Sequence, residues 1–240
     1  MLSACILQTP VSPYLVLMNS PEVVMKKQDI TLTYDLICPW CWIAERRLAR
    51  VVDDLGLADN VAVRFVPFEL NPAMPVEGMD RKAYRTAKFG SWARSQAMDA
   101  HVAEAGRAEG LQFHYAIVDR TPNTLLAHRL VWFAQRSGHA AGLVDALFGA
   151  YFRDGRDIGE AAVLTDIAAE AGLDADAVRA FLDSDEGTPE IRALEAEAIR
   201  NGIGSVPSMR VGSTVITGAQ PDAVFRDALA DAVGAHAITE

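Results

Sequence analysis

Cysteine is scarce in this chain, with three in 240 residues. Three are too few for a disulfide-stapled scaffold, and one is left over in any pairing. The single Cys-x-x-Cys, Cys38 to Cys41, lacks the second ligand pair of a zinc ribbon or finger. Basic blocks are missing too: the net charge is −10. That argues against non-specific nucleic-acid binding, which needs Lys and Arg to neutralise phosphates. No stretch reaches the roughly 20 apolar residues that span a bilayer, so no membrane association is expected. Residues 1–24 hold neither Lys nor Arg, so the basic n-region of a secretory signal is absent. Leu2-Ser3-Ala4-Cys5 resembles a lipoprotein cleavage box, but no apolar segment precedes it. These absences lead to the expectation of a cytoplasmic protein. Internal repeats and low-complexity tracts are absent as well.

What remains is an ordinary globular composition, 50% apolar and 22% charged. Residues 1–28 stand apart. Pro10, Pro13 and Pro21 discourage a helix there, and Met25-Lys26-Lys27 reads as an alternative start. This segment is expected to be an N-terminal arm, disordered or a mis-assigned start, with Cys5 a free thiol in it.

The tetrad Cys38-Pro39-Trp40-Cys41 sits where a strand meets a helix. Ile30 to Ile37 alternates and is rich in β-branched and aromatic residues, which predicts a strand. From Cys41 to Val52 the apolar residues recur at helical spacing. Pro39 falls at the first helical position, which tolerates a missing N–H. Cys38 would then lie at a helix N-terminus, where free N–H groups and the dipole favour a thiolate. A second strand is predicted over 60–68, completing a parallel strand–helix–strand unit. A Pro-rich exit loop follows, from Glu69 to Gly78.

From about 80 to 202 no strand is predicted. A polar, Ala-rich segment runs from Arg81 to Glu109. Thr121-Pro122 and Thr188-Pro189 each read as a cap followed by a first-turn proline. Helices are also expected around Leu143–Phe152, over 160–171 with Gly172 as its left-handed stop, and over 174–183 with Asp174 as cap. Two short strands, 208–211 and 214–217, flank a Gly212-Ser213 turn. A last amphipathic helix covers 221–233.

This layout, with this tetrad, resembles the DsbA-like thioredoxin superfamily, and within it the FrnE-type cytoplasmic branch. Four segments carry the resemblance: Cys38-Pro39-Trp40-Cys41-Trp42; Phe68-Glu69-Leu70-Asn71-Pro72; Asn123-Thr124 with Ala127-His128-Arg129; and Gly204 to Ser208 with the run from Ser213 to Gln220. It implies an α/β thioredoxin-like fold with a large all-helical insertion between its βαβ and ββα halves. The expected division is 29–79 with 203–236 as the thioredoxin-like domain and 80–202 as the insertion. The resemblance also implies that Pro207 is a cis-proline packed against the cysteines, leaving the backbone of Val206 to pair with an extended substrate. Related glutathione-dependent isomerases and kappa-class glutathione transferases carry Ser in place of the first cysteine, whereas this chain keeps both.

The implied activity is thiol–disulfide exchange. Cys38 is the expected exposed nucleophile and Cys41 the resolving thiol. The plainer alternatives are two structural thiols or half of a metal site, and strand–CxxC–helix is the redox context. Lowering a thiol pKa from ~8.5 to ~5 takes about 5 kcal/mol of thiolate stabilisation. The gain in thiolate fraction is largely offset by lost nucleophilicity, so the benefit falls on the leaving group and makes the disulfide more oxidising. Pro39 and Trp40 would tune this poise, with Trp40 offering apolar area for docking. Trp42 reads as core. Glu69 is either a proton relay to Cys41 or a solvated loop carboxylate. His128 either faces the sulfur or is a satisfied helix histidine, and Asn123 supports a helix start. No cofactor or metal is expected. The expected partners are a thiol or disulfide peptide or small molecule, with glutathione as a co-substrate. An apolar face on the insertion would suit a homodimer. The rival readings are a glutathione-dependent isomerase or transferase, and a module that binds polyketide-type or aromatic small molecules with idle cysteines.

Overall fold

A computed structural model describes residues 27–237, without the side chains of 233–237. Cys5 and the alternative start at Met25 lie outside the described residues. The chain opens with strand β1 (Gln28–Tyr34), helix α1 (Pro39–Asp54) and strand β2 (Val61–Pro67). The middle holds β3 (Met79–Asp80), α2 (Arg81–Phe89), α3 (Trp92–Ala108), β4 (Arg120–Thr121), α4 (Leu125–Gln135), α5 (Ala140–Phe152), α6 (Ala161–Glu170), α7 (Ala175–Leu182) and α8 (Thr188–Arg200). The chain then returns through β5 (Ser208–Val211), β6 (Thr214–Thr217) and α9 (Asp222–Ala237).

Four strands form one mixed sheet in the order β2-β1-β5-β6. β1 and β2 are parallel, with Leu32 opposite Phe65; β1 and β5 are antiparallel, with Leu32 opposite Met209. Central β1 alternates as its sequence demands. Ile30, Leu32 and Tyr34 are buried on one face, and Thr31 and Thr33 take the other. Helix α9 packs against α1, β5 and β6, while α4 and α8 pack against β2. The apolar core is continuous: Ile30, Leu32 and Phe225 belong to the same cluster as Leu143, Phe148 and Leu164. The result is a thioredoxin-like α/β fold carrying a helical insertion. No helix among the described residues is long and apolar enough to cross a membrane.

Several local expectations change. The 80–202 segment is not wholly helical, because Met79–Asp80 pairs with Arg120–Thr121 as a short antiparallel ladder. That ladder claims Thr121, so Thr121-Pro122 does not open α4; the helix begins at Leu125, where the Asn123 side chain accepts from the Leu125 N–H at 2.9 Å. The polar segment 81–109, to which no element is assigned from sequence, forms two helices. Gly90, at φ 87°, ends α2, and the Ser91 hydroxyl caps α3 through the Arg94 N–H. At α8 the cap position belongs to Gly187 in left-handed geometry, which puts Thr188 inside the helix. Strand β1 stops at Tyr34 because Asp35–Ile37 turns the chain, closed by the Cys38 N–H donating to the Asp35 carbonyl at 3.0 Å.

Candidate active site

That turn delivers Cys38 to the cap position of α1, with extended backbone and Pro39 directly after it. The Cys41 N–H donates to the Cys38 carbonyl at 3.0 Å, so the second sulfur lies one turn into the helix. Both cysteines are free thiols. The expectation of an exposed Cys38 needs correction. It is only 6% accessible and Cys41 is 0%, because Val206 and the helical insertion close over the helix end. The Cys38 thiol points at the Val206 carbonyl oxygen, 3.7 Å away, and the Val206–Pro207 peptide bond is cis. Burial pushes the Cys41 thiol well above the usual range, and the adjacent Cys38 adds to this. A thiol held that way keeps its proton at neutral pH.

Beneath the cysteines lies a buried polar group that the motif reading overlooked. Asp35 is fully buried; its carboxylate accepts the Leu70 N–H at 2.7 Å and lies 3.3 Å from His128 Nε2. Its backbone carbonyl holds the Cys38 N–H, so one residue anchors both the turn that carries Cys38 and the exit loop of β2. The signal was present in the sequence: an acid ending an apolar strand, three residues before the first cysteine. His128 is buried, its Nδ1 has no hydrogen-bond partner among the described residues, and its ring meets Tyr34 edge-on at 5.2 Å. It is therefore paired on one nitrogen only, not the fully satisfied helix histidine of the plainer reading.

Glu69 is not a solvated loop carboxylate. It is 6% exposed and reaches α8, where its carboxylate pairs with Arg192 and its N–H donates to Glu195 at 2.8 Å. Burial raises its pKa, Glu195 adds to the rise, and Arg192 opposes both. Asn123 joins the exit loop to α4: besides the Leu125 N–H, it donates from Nδ2 to the Met74 carbonyl at 2.8 Å. Trp42 is core, stacked near Phe148 and Phe152, with its indole N–H donating to Asp145 at 2.8 Å. Trp40 is half-buried, its ring 5.6 Å from that of His101.

Cys38, Pro39 and Trp40 form one wall of a cleft of about 270 Å³. The opposite wall comes from α2 and α3, in the segment that sequence reading left without a role. Arg81, Arg85 and Lys88 recur at helical spacing along α2, and all three line the cleft with Asp99 of α3. Among the described residues, no group of His, Cys, Asp and Glu is arranged to hold a metal ion.

A family model described as a DSBA-like thioredoxin domain matches residues 29–230. The structure is similar to that of the probable DsbA oxidoreductase SCO1869 from Streptomyces coelicolor, with TM-score 0.79 and 32% identity over 86% of this chain and 90% of that one. It shares its fold with the cytosolic disulfide reductase DsbM from Pseudomonas aeruginosa, with TM-score 0.62 and 21% identity over 86% and 99% of the two chains. It also shares it with a 2-hydroxychromene-2-carboxylate isomerase, with TM-score 0.67 and 15% identity over 88% and 99%. In sequence it is 26% identical over 202 residues to the uncharacterized protein YwbO of Bacillus subtilis (strain 168), covering 82% of this chain and 93% of that protein. A strand, a turn anchored by Asp35 and a helix capped by Cys38 are thus the framework of a known redox fold, and the chain belongs to the DsbA-like thioredoxin family.

Proposed function

We propose that this protein is a thiol–disulfide oxidoreductase of the FrnE type, exchanging disulfides through Cys38 and Cys41. The observation that carries the reading is the pairing of two unlike sulfurs. Cys38 caps α1 and borders an open cleft, while Cys41, one turn inside, is sealed and protonated. In the reducing direction, the Cys38 thiolate attacks a substrate disulfide and displaces one thiolate. The resulting mixed disulfide is resolved when Cys41 gives up its proton and attacks Cys38 Sγ, releasing the second thiolate. In the oxidising direction the same steps run backwards. Pro39, Val206 and Pro207 shape the approach to Cys38, and glutathione is a candidate co-substrate, since a solved structure of DsbM from Pseudomonas aeruginosa is described as with GSH. A cytoplasmic setting and a homodimer belong to this proposal.

The test is trapping. Cys41→Ser is expected to accumulate a stable adduct on Cys38 with a disulfide substrate, seen by mass, and Cys38→Ser to form none. Equilibration of the wild-type dithiol in glutathione buffers then sets the direction. A potential well above the cytosolic poise of about −220 to −260 mV marks a disulfide donor, and one below it marks a reductant. A second reading is favoured by the shared fold with the hydroxychromene carboxylate isomerase. It requires an activity that needs glutathione and survives Cys41→Ser. Failure of the two cysteines to form any reversible couple refutes the first reading.

A further inference from the structure

We infer that the cleft beside Cys38 selects small disulfides whose leaving thiol is a flat aromatic ring bearing an anionic group. This rests on the exchange reading above and names the substrate class of the same site.

The charge argument comes first. The chain as a whole is strongly acidic, at −10, and long-range attraction would favour cations. The cleft opposes that trend. Arg81 and Arg85 share a single carboxylate, each 2.7 Å from one oxygen of Asp99. Lys88 has no carboxylate partner among the described residues; its ammonium meets Asn71 Oδ1 at 2.9 Å and Tyr84 Oη at 2.6 Å. The charged lining is therefore positive by two, and the N-terminus of α1 adds its partial positive charge at the sulfur.

Shape supplies the rest. The apolar lining is largely aromatic, with Trp40 beside the sulfur and Phe89 and Tyr115 across from it. The ring of Tyr115 lines the cleft, while its phenol oxygen is buried without a partner among the described residues. About 270 Å³ accommodates one substituted ring beside Cys38, at the small end of ligand pockets. The two-electron balance is simple. The Cys38 thiolate bonds to one sulfur of an aryl disulfide and expels the other as an aryl thiolate. Cys41 loses its proton to solvent, attacks Cys38 Sγ and expels the second aryl thiolate, leaving the protein disulfide oxidised and the substrate reduced.

The experiment is stopped-flow mixing of the reduced full-length protein with four probes. These are the disulfide of thionitrobenzoate (aromatic, anionic), the disulfide of mercaptopyridine (aromatic, neutral), dithiodiglycolate (aliphatic, anionic) and cystamine (aliphatic, cationic). Each rate is divided by that of free mercaptoethanol with the same probe, which removes intrinsic electrophilicity. The thionitrobenzoate disulfide is expected to lead the other three. Its advantage over the mercaptopyridine disulfide should fall about threefold per positive charge removed at low ionic strength, so about threefold in Lys88→Gln and about tenfold in Lys88→Glu. A change in Cys38 reactivity alone moves all four rates together and cancels in the ratio. Equal normalised rates, a preference for cystamine, or a ratio unmoved by Lys88→Glu overturns the assignment while leaving disulfide exchange intact. No reaction of Cys38 with any probe overturns the exchange reading itself.

Discussion

Glu45 is expected to contribute a stability difference that falls as pH rises from about 4.5 to about 7, and the size of the effect follows from its surroundings. It sits in α1, half-buried, where burial holds its carboxyl at about 7 against an ordinary 4.5; Asp145 raises it further and Arg46 opposes. Below about pH 4.5 the group is protonated in both folded and unfolded chains and contributes no difference. Between 4.5 and 7 the unfolded chain releases the proton while the folded chain keeps it, so folding loses ground with each pH step. Above 7 both states are ionised and the penalty is constant. At about 1.4 kcal/mol per pH unit, the interval amounts to about 3 kcal/mol. Glu45→Gln keeps the shape and removes the titration. The variant is expected to match wild type at pH 4 and to exceed it by up to about 3 kcal/mol at pH 8, read as the difference in urea midpoints. Carboxylates that do not interact with Glu45 cancel in that difference. Asp154 and Asp222, for example, are held below the usual range by hydrogen bonds from Arg153 and Arg50 and lose stability on the acid side in both proteins. Equal midpoints at pH 8, or a gap that is widest at pH 4, would refute the reasoning.

Two further substitutions probe how the insertion is held. Arg129→Met removes the guanidinium that donates to the backbone carbonyls of Phe181, Ser184 and Glu186, at 3.1, 2.5 and 2.8 Å. Arg129 is itself buried, while the Phe181 carbonyl keeps the Ser184 N–H and hydroxyl as donors, so urea unfolding is expected to register a loss of about 1–3 kcal/mol, with Cys38 reactivity toward disulfides unchanged. Gly155→Ala is expected to cost about 2–4 kcal/mol by the same measurement, since the residue sits at φ 68° and an added Cβ would lie 2.4 Å from the Ile117 carbonyl oxygen.

The parts of this structure legible in the sequence are those set by local periodicity. β1, α1, β2 and the final hairpin each have a repeat that only one element satisfies. The CxxC at the junction fixes which helix end carries the sulfur. Where two local signals competed, long-range contacts decided. Thr121-Pro122 has the chemistry of a helix start, yet Thr121 pairs with Met79, forty-two positions away in the chain, and that ladder pushes the helix start downstream. The burial of Cys38 was illegible for the same reason, since the residues that cover it come from Val206 and the insertion.

The cleft presents the sharpest case. Arg81, Arg85 and Lys88 share a face of any helix drawn through them, so their alignment was available from spacing alone. On an isolated helix, however, that stripe is an ordinary solvated surface. It acquires meaning only because Gly90 breaks the segment in two and folds α3 back against α2, setting Asp99 between the two arginines. With one carboxylate serving two guanidiniums, the positive charge is reduced but not cancelled. The β1–α1 turn then brings Cys38 to the same space. The CxxC that presents Cys38 is specified by four consecutive residues, and the positive lining opposite it by a loop closure more than forty residues downstream. A substitution at Gly90 or Asp99 should therefore alter which disulfides react without touching the motif that makes them react.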